Sequence, residues 1–420
     1  MGSRGTVLNA LNALRSKNPA VVFILSLFSG LVVSSIVIVV STATLRSAWA
    51  NLFSDPGNTL TTTFRFLGRA YGALLKGAIA DPQSFHRAFA HPTSANWSHA
   101  FLPISNTIVS SVPLVIAALG LSVAYRSGAF NVGGQSQLIM GAVAASWVGF
   151  SFAGMPLVLH IALACAAAAL SGAIAGLIPG VLKAYAGASE VIVTIMLNYI
   201  AANFLTYLLS GTFFRIQNQG NNPVGRLTVP SATLGPIFGK GLPVNAGLFI
   251  ALAVIVFVSL LLNRSRIGFE FQIAGASRRA ARVAGIRQTW VYLGAFSVSG
   301  AIVGLAGAVQ VLGVSRQLQT GFGADIGYLA ILVAFVGANR PIGVALAGLL
   351  YGALQTGGLT MQFSAGVSYQ LTNVIQALIV MFVTAPALIG GIFRLREAAG
   401  GPPPPRRRAP VTTAEEQVAA

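Results

Sequence analysis

Long apolar runs recur along the chain, and polar and charged residues are concentrated in the segments between them. Because about 20 helical residues cross the hydrocarbon core of a bilayer, these runs predict membrane-spanning helices. The pattern indicates about ten spans, at residues 20–41, 103–124, 130–150, 157–178, 190–210, 246–262, 290–313, 325–338, 341–359 and 368–391. The third, eighth and ninth are interrupted by glycine or begin at irregular places, which suits broken or re-entrant helices. We therefore predict an all-α fold, a polytopic membrane helical bundle.

Composition and charge agree with this class of protein. Of the 420 residues, 55% are hydrophobic and 8% are charged, whereas a soluble domain carries roughly a quarter charged residues. The net charge of +18 comes from basic residues that lie mostly between or beyond the apolar runs. This placement suits contact with anionic membrane lipid. Aromatic residues do not alternate with the basic ones as in a nucleic-acid groove, so we expect no nucleic-acid partner.

Basic residues also set the expected orientation. Arg4, Arg15 and Lys17 precede the first span, which predicts a cytoplasmic N-terminus. An even number of spans returns the C-terminus to the same side, together with the loop 263–289 and its six arginines. The predicted organisation is a cytoplasmic segment 1–19, a first span with an extracytoplasmic loop over 20–101, a membrane core over 102–392 and a disordered cytoplasmic tail over 393–420.

Part of the loop before the second span has the pattern of an amphipathic helix. Arg65, Arg69 and Lys76 fall on one narrow stripe at helical spacing. The opposite face carries apolar residues, namely Phe64, Leu67, Tyr71, Leu74, Leu75 and Ala78. We predict a helix that lies flat on the outer membrane surface.

Two weaker patterns concern packing. Glycines recur at four-residue spacing within the apolar runs, which lets helix backbones approach closely in lipid. They are Gly172, Gly176 and Gly180; Gly300 and Gly304; and Gly348 and Gly352. The halves 103–210 and 290–391 each contain a span, a glycine-rich turn, a second span and a third span led by proline. This likeness suggests an internal duplication.

The chain lacks residue patterns for catalysis or metal binding. It has no G-x-x-x-x-G-K-[S/T] phosphate loop, no paired carboxylates and one cysteine, Cys165. We expect no enzyme activity, no metal and no cofactor in this chain. The acids near span ends are Glu190 and Asp325, both at predicted helix starts, where helix capping is the simpler interpretation. Scarce buried acids argue against a stand-alone secondary transporter or channel, although sodium sites made of backbone carbonyls leave that alternative open.

Within the loop 263–289, a short cationic helix is predicted from Ser277 as its N-cap to Gly285 as its C-terminal stop. A capped helix held between two spans suits docking to a cytoplasmic partner, and a solvated positive loop is the alternative. The candidate coupling residues are Gly275, Ser277, Arg278, Arg279, Arg282 and Gly285.

Several segments resemble a known family. Gly275–Ile286 is similar to the cytoplasmic G-x-N-x-x-A-A-x-x-x-G-I segment of ABC import permeases of the ribose and branched-chain amino acid group, with Ser277 in place of the usual Asn. Gly128–Gly141 and Glu190–Ala201 resemble the nucleoside and simple-sugar branch of that group. In the first of these, Gln135 and Ser136 stand where that branch usually has Glu and Gly. The segments Gly321–Gly327 and Asn339–Gly343 also fit, and the resemblance covers roughly residues 70–392.

The resemblance implies the rest of a transport machine. It implies a second permease subunit, homologous or identical, ABC ATPase subunits that bind ATP and magnesium, and an extracytoplasmic substrate-binding lipoprotein in the cell inner (plasma) membrane. The expected function is import of a neutral polar solute, with nucleosides as the leading substrate. Polar or aromatic residues within spans are the candidates for the substrate pathway, with interhelical ties as the alternative role. They are Phe130, Asn131, Gln135, Asn198, Tyr199 and Asn203.

Overall fold

The computed structural model describes residues 19–216, 223–239, 241–323, 325–385 and 391–393. Within these ranges the protein is all-α, as predicted, and contains isolated bridges but no β-strand. The helices are α1 (Pro19–Ser41), α2 (Ala43–Ala50), α3 (Pro56–Ala78), α4 (Pro82–Ala90), α5 (Ser94–Arg126), α6 (Gly134–Ser151), α7 (Leu157–Ala186), α8 (Glu190–Ser210), α9 (Gly247–Arg264), α10 (Arg266–Ala276), α11 (Arg278–Val283), α12 (Gln288–Val309), α13 (Ile326–Val336), α14 (Pro341–Ala365) and α15 (Tyr369–Thr384). The predicted N-terminal segment before residue 19 and the predicted tail after residue 393 lie outside the described residues.

Seven helices in the described part of the chain are long and apolar enough to cross a membrane. They are α1, α5, α7, α8, α9, α12 (with its π-helical extension Gln310–Ser315) and α14. The other three predicted spans correspond to α6, α13 and α15. At a rise of 1.5 Å per residue, the 11 residues of α13 measure about 16 Å, or half of a hydrocarbon core. The eighth predicted span, 325–338, therefore contains a short, broken helix, as predicted for that position.

Broken helices were also predicted at the third and ninth spans, and the structure gives a different result for each. Helix α6 begins at Gly134 and not at residue 130, because residues 129–132 are not helical. Helix α14, by contrast, runs without a break from Pro341 to Ala365, so its glycines do not interrupt it. Gly348 and Gly352 lie against α5, where a Cβ at either would meet Val115 or Ser111. Close helix packing explains these glycines.

The two halves of the core are arranged alike. Helices α5 and α12 are the most buried spans and pack against each other. Helix α5 also packs on α13 and α14 of the second half, and α12 packs on α6 and α7 of the first half. A Cβ on Gly120 would meet Val303, and one on Gly247 would meet both Val112 and Val309, so α5 and α12 run in opposite directions. This exchange of partners supports the predicted duplication and indicates inverted repeats.

The tightest packing in the core joins α7 to α12. A Cβ placed on Gly300 would lie against the carbonyl oxygen of Gly172, and one on Gly176 would lie against that of Phe296. Gly304 makes the same kind of approach to Ala168. The close backbone approach predicted from the glycine spacing is confirmed, and the structure identifies α7 and α12 as the partners.

Helix α3 confirms the helix predicted in the loop before the second span, with Asp55 as its N-cap. The predicted apolar face is buried in part: Leu74 and Ala78 are buried, whereas Phe64 and Leu75 are exposed. Small residues outside that face, Ala70, Ala73 and Gly77, are buried as well, and the helix packs chiefly on α14. Small side chains allow this close approach. The position of α3 on the outer membrane surface stays a prediction.

Candidate functional site

Two non-helical segments enter the core and meet inside it. Residues 127–133 lead from the end of α5 to α6, and Asn131 within them donates a hydrogen bond of 2.9 Å to Ser299 Oγ. Ser299 lies midway along α12, so this segment reaches the middle of the bundle. The Oδ1 of Asn131 accepts from the backbone N–H of Gly133 at 2.9 Å. Irregular backbone at this depth is tolerated only where protein groups satisfy its polar atoms.

The start of α13 comes to the same place from the second half. A Cβ on Gly134 would meet Gly327 O, so the N-termini of α6 and α13 abut. Gln135 ties them together: its Oε1 accepts from Gly327 N–H at 3.0 Å, and its Nε2 donates to Gly323 O at 3.1 Å. A carboxylate here could accept the first bond but, when ionised, could not donate the second. The amide at position 135 therefore fits both partners.

The side-chain amide of Asn198, in α8, makes two hydrogen bonds to the backbone at the start of α6. Its Oδ1 accepts from Ser136 N–H at 2.9 Å, and its Nδ2 donates to Val132 O at 3.0 Å. The first N–H groups of a helix have no partner within the helix. Asn198 thus acts as a cap supplied by a neighbouring helix, and it is 2% exposed. Its two bonds fix where α6 begins relative to α8.

The six predicted pathway residues fall into two groups. Asn131, Gln135 and Asn198 are buried, and the bonds above engage their side chains around the start of α6. Phe130, Tyr199 and Asn203 are exposed. Phe130 stacks on Tyr125 and Phe335, with ring centroids 5.3 and 6.1 Å away, whereas Tyr199 and Asn203 lie together on α8. Contact of any of the six with substrate stays a prediction.

Tyr199 and Asn203 belong to what we term the outer face of α8. One side of this helix is buried through Thr194, Asn198, Ala201, Leu205 and Leu209. The opposite side is exposed and comprises Ile192, Met196, Tyr199, Asn203 and Tyr207. Among the described residues, the amide of Asn203 bonds only to Tyr199 O of its own helix, at 2.8 Å. A polar amide exposed within a membrane span is typical of a surface that faces water or another helix rather than lipid.

A separate groove of about 520 Å³ lies between α6, α7 and α8. Trp147, Leu170, Ile174, Ile200 and Phe204 are among its lining residues, and its surface is almost wholly apolar. It offers few hydrogen-bonding groups for a polar solute. The outer face of α8 is therefore the better candidate for the substrate pathway.

The predicted cationic helix is present as α11. Ser277 Oγ accepts from Ala280 N–H at 3.3 Å, which is the N-cap bond. At the other end, Gly285 has φ +75°, a conformation that favours glycine. The N–H groups of Ile286 and Gly285 donate to Ala281 O and Arg282 O, at 2.9 and 3.1 Å. This is a Schellman motif, so the sequence predicted both ends of the helix; its docking role stays a prediction.

The loop 263–289 also contains α10, which we did not anticipate, and α10 carries the link to the core. A Cβ on Gly275 would meet Arg126 O and Gly128 N. The Arg126 guanidinium donates to Gln272 Oε1 at 3.2 Å and to Asn339 O at 3.1 Å. The only local sign of this contact in the sequence was Gly128. Its φ of +76° allows the turn that follows α5. Arg126 joins the segment around α11 to the turns before α6 and α14.

The two acids near span ends behave differently. Glu190, the first residue of α8, forms an ion pair of 2.6 Å with Lys183 at the end of α7. Asp325 precedes α13 with φ +71°, and its side chain makes no cap bond to that helix. Capping is thus not the role of Asp325. No group of three or more His, Cys, Asp or Glu that could hold a metal occurs in the described ranges.

Residues 103–384, which hold both halves of the core, match the family described as branched-chain amino acid transport system / permease component. The chain belongs to this family. The permease is 34% identical over 296 residues to the guanosine ABC transporter permease protein of Bacillus subtilis, covering 70% of this chain and 84% of that one. It is 32% identical over 292 residues to the nucleoside ABC transporter permease protein of Lactococcus lactis subsp. cremoris (68% and 80%). It is also 32% identical over 289 residues to the glucose ABC transporter permease protein of Haloferax volcanii (67% and 75%).

No solved structure matches the permease at a significant level. Membership, together with the apolar helices, establishes a multi-pass membrane protein that is the permease component of an ABC transporter. The resemblance to nucleoside and sugar permeases read from the segments around Asn131 and Asn198 is confirmed. Membership also implies, in general terms, ATPase and substrate-binding partners.

Proposed function

We propose that this permease imports a neutral polar solute, with nucleosides as the substrate class, along a pathway that includes the outer face of α8. The observation that supports this most directly is Asn203, an exposed amide beside the exposed ring of Tyr199 on a membrane-spanning helix. A nucleoside presents a flat base and a hydroxylated ribose. An aromatic ring with a nearby amide offers stacking and hydrogen bonding to such a solute.

Charge on the spans supports a neutral substrate. Glu190 is the one charged residue of α8, and it is paired with Lys183. In the described part of α5 and α12, which fill the core, Arg126 is the one charged residue, and it lies at the end of α5. Arg or Lys usually balances the charge of a phosphorylated solute. Nucleotides and sugar phosphates are therefore disfavoured as substrates.

The proposed assembly places a second permease subunit opposite the outer face of α8, so that two chains enclose the pathway. ATP and magnesium are bound by ABC ATPase subunits, and an extracytoplasmic lipoprotein delivers the solute. We place the protein in the inner (plasma) membrane with both termini in the cytoplasm, as the basic residues indicate. ATPase closure would push on α11, and α10 and Arg126 would transmit the shift to the two turns that they contact.

Replacing Asn203 with leucine tests the pathway. We expect uptake of radiolabelled guanosine by the assembled transporter to fall by up to about tenfold, because a hydrogen bond from a neutral amide to substrate contributes about 0.5–1.5 kcal/mol. Asn203→Gln keeps the amide and should retain most of the uptake. The amide bonds only to its own helix, so we expect the amount of assembled transporter to stay unchanged. Equal uptake by wild type and Asn203→Leu would remove the outer face of α8 from the pathway.

A further inference from the structure

A second cavity, outside the proposed pathway, lies where α7 ends and α12 begins. It has a volume of about 660 Å³. Lys183 of α7, Arg278 and Arg282 of α11, and Arg287 contribute to its walls, and Tyr292 of α12 contributes a buried ring. We refer to it as the basic cavity. Its lining contains four cationic side chains and no acidic one.

Most of this charge is not neutralised within the protein. Lys183 is paired with Glu190, but none of the hydrogen bonds or ion pairs of the described residues engages the guanidinium groups of Arg278, Arg282 or Arg287. Three uncompensated cations around one cavity create a strongly positive potential there. A cavity with this lining is suited to a compact anion rich in oxygen, such as phosphate, because guanidinium groups bind phosphate oxygens by two bonds at once.

The side chains of α11 lie on two different sides of the helix. At 100° per residue, Arg278 and Arg282 lie on one side and line the basic cavity. Arg279 and Val283 lie on a different side and do not line it; Val283 is 91% exposed. One face of α11 is therefore available to a protein partner while the other closes the cavity. ATPase docking on the exposed side would account for Arg279 but not for Arg278 and Arg282, which line the cavity.

The neighbouring aromatic residues locate the cavity relative to the bilayer. Trp290, in the first turn of α12, is 66% exposed, and Tyr185, in the last turn of α7, is 73% exposed. Exposed Trp and Tyr at the ends of membrane spans are typical of the headgroup level of a bilayer. Lys183, which lines the cavity, precedes Tyr185 by two residues, and the lining residues Thr289 and Tyr292 lie on either side of Trp290. We therefore place the opening of the cavity at that level.

We propose that the basic cavity binds the phosphate of an anionic phospholipid headgroup. Basic pockets between membrane helices at this level are suited to such headgroups. The site would join the ends of α7 and α12 to α11 through one ligand, so that bound lipid would hold the coupling segment against the core. The anionic lipid would then act on the permease at a place separate from its substrate.

Thermal unfolding of the purified full-length chain in neutral detergent tests this site. Titration with phosphatidylglycerol should raise the unfolding temperature to a plateau, and phosphatidylcholine should raise it much less. In an Arg282→Gln/Arg287→Gln variant, the apparent affinity for phosphatidylglycerol should fall by about tenfold or more. The matched control is Arg264→Gln/Arg279→Gln, which removes the same charge from the same segment outside the cavity and should bind like wild type.

Three results would overturn the proposal. Equal losses in the two variants would show that general charge and not the cavity attracts the lipid. Saturation by millimolar inorganic phosphate with the same stabilisation would show that the site takes a soluble anion. Unchanged lipid binding in Arg282→Gln/Arg287→Gln would show that these arginines do not hold the lipid.

Discussion

A Gly300→Val variant is expected to lose the α7–α12 contact and with it most of the folded permease. The new side chain would begin where the carbonyl oxygen of Gly172 already lies, with Gly176 Cα close by. Backbone atoms cannot move aside as a flexible side chain can, so the helices must separate. Overpacking in a core costs about 1–3 kcal/mol and occasionally more, and this contact is between two backbones. The measurement is the unfolding midpoint in detergent, together with the yield of monodisperse protein.

Gly68→Ala is the matched control for that variant. Gly68 is also helical, in α3, but no atom lies within 4 Å of the position that its Cβ would occupy. Alanine is favoured over glycine within a helix by about 1 kcal/mol, so stability should stay the same or rise slightly. If Gly300→Val unfolded at the wild-type midpoint, the close packing of α7 on α12 would be contradicted.

Replacing Asn198 with leucine should destabilise the permease and abolish uptake together. The change leaves the buried N–H of Ser136 and the carbonyl of Val132 without their partners. Each unsatisfied buried group costs about 1–3 kcal/mol, and the start of α6 loses its cap. Asn198→Asp keeps the acceptor for Ser136 N–H and should lie between wild type and the leucine variant. Unfolding midpoint and uptake are measured on the same preparations.

Asn203→Leu provides the control on the same helix, because it removes an equal amide from the exposed side. It should lower uptake without lowering the unfolding midpoint, whereas Asn198→Leu should lower both. A wild-type midpoint for Asn198→Leu would mean that the capping bonds contribute nothing. The pair therefore separates a residue that positions α6 from one that faces the pathway.

Most of the fold followed from local patterns. Apolar runs located the membrane helices because length and hydropathy are properties of consecutive residues. The cap pattern from Ser277 to Gly285 located α11 for the same reason. Glycine spacing predicted close helix packing at Gly172, Gly176 and Gly300, since a four-residue repeat places glycines on one side of a helix, but the pairing of α7 with α12 came from the structure.

Other features depend on residues far apart in sequence. Helix α13 is short because the chain before it enters the core and is held by Gln135, which lies 192 residues from Gly327. The apolar pattern around Ile326–Val336 looks the same whether a helix crosses the membrane or stops halfway. The buried face of α3 was predicted only in part for a related reason. Hydrophobicity groups Phe64 and Leu75 with Leu74, but only Leu74 of these three is buried, together with the small residues Ala70, Ala73 and Gly77.

The sequence identified residues of the candidate site but not the contacts that they make. Asn131, Gln135 and Asn198 were identified as polar residues within spans, and the structure shows them bonded to backbone groups around α6. Nothing in the sequence indicates that Asn198 bonds to Ser136, 62 residues away. The bonds of Arg126 to Gln272 and Asn339 likewise join residues that are far apart in sequence.

ATP-dependent uptake by the complete transporter tests the central claim most directly. The permease would be reconstituted in liposomes with its ATPase and substrate-binding partners, and uptake of radiolabelled guanosine measured with and without ATP inside. We predict uptake that requires ATP and that excess adenosine or uridine suppresses, but that excess ribose or glucose does not. Uptake of ribose or glucose that excess nucleoside leaves unchanged would contradict the substrate assignment, and uptake by the permease alone without ATP would contradict the importer itself.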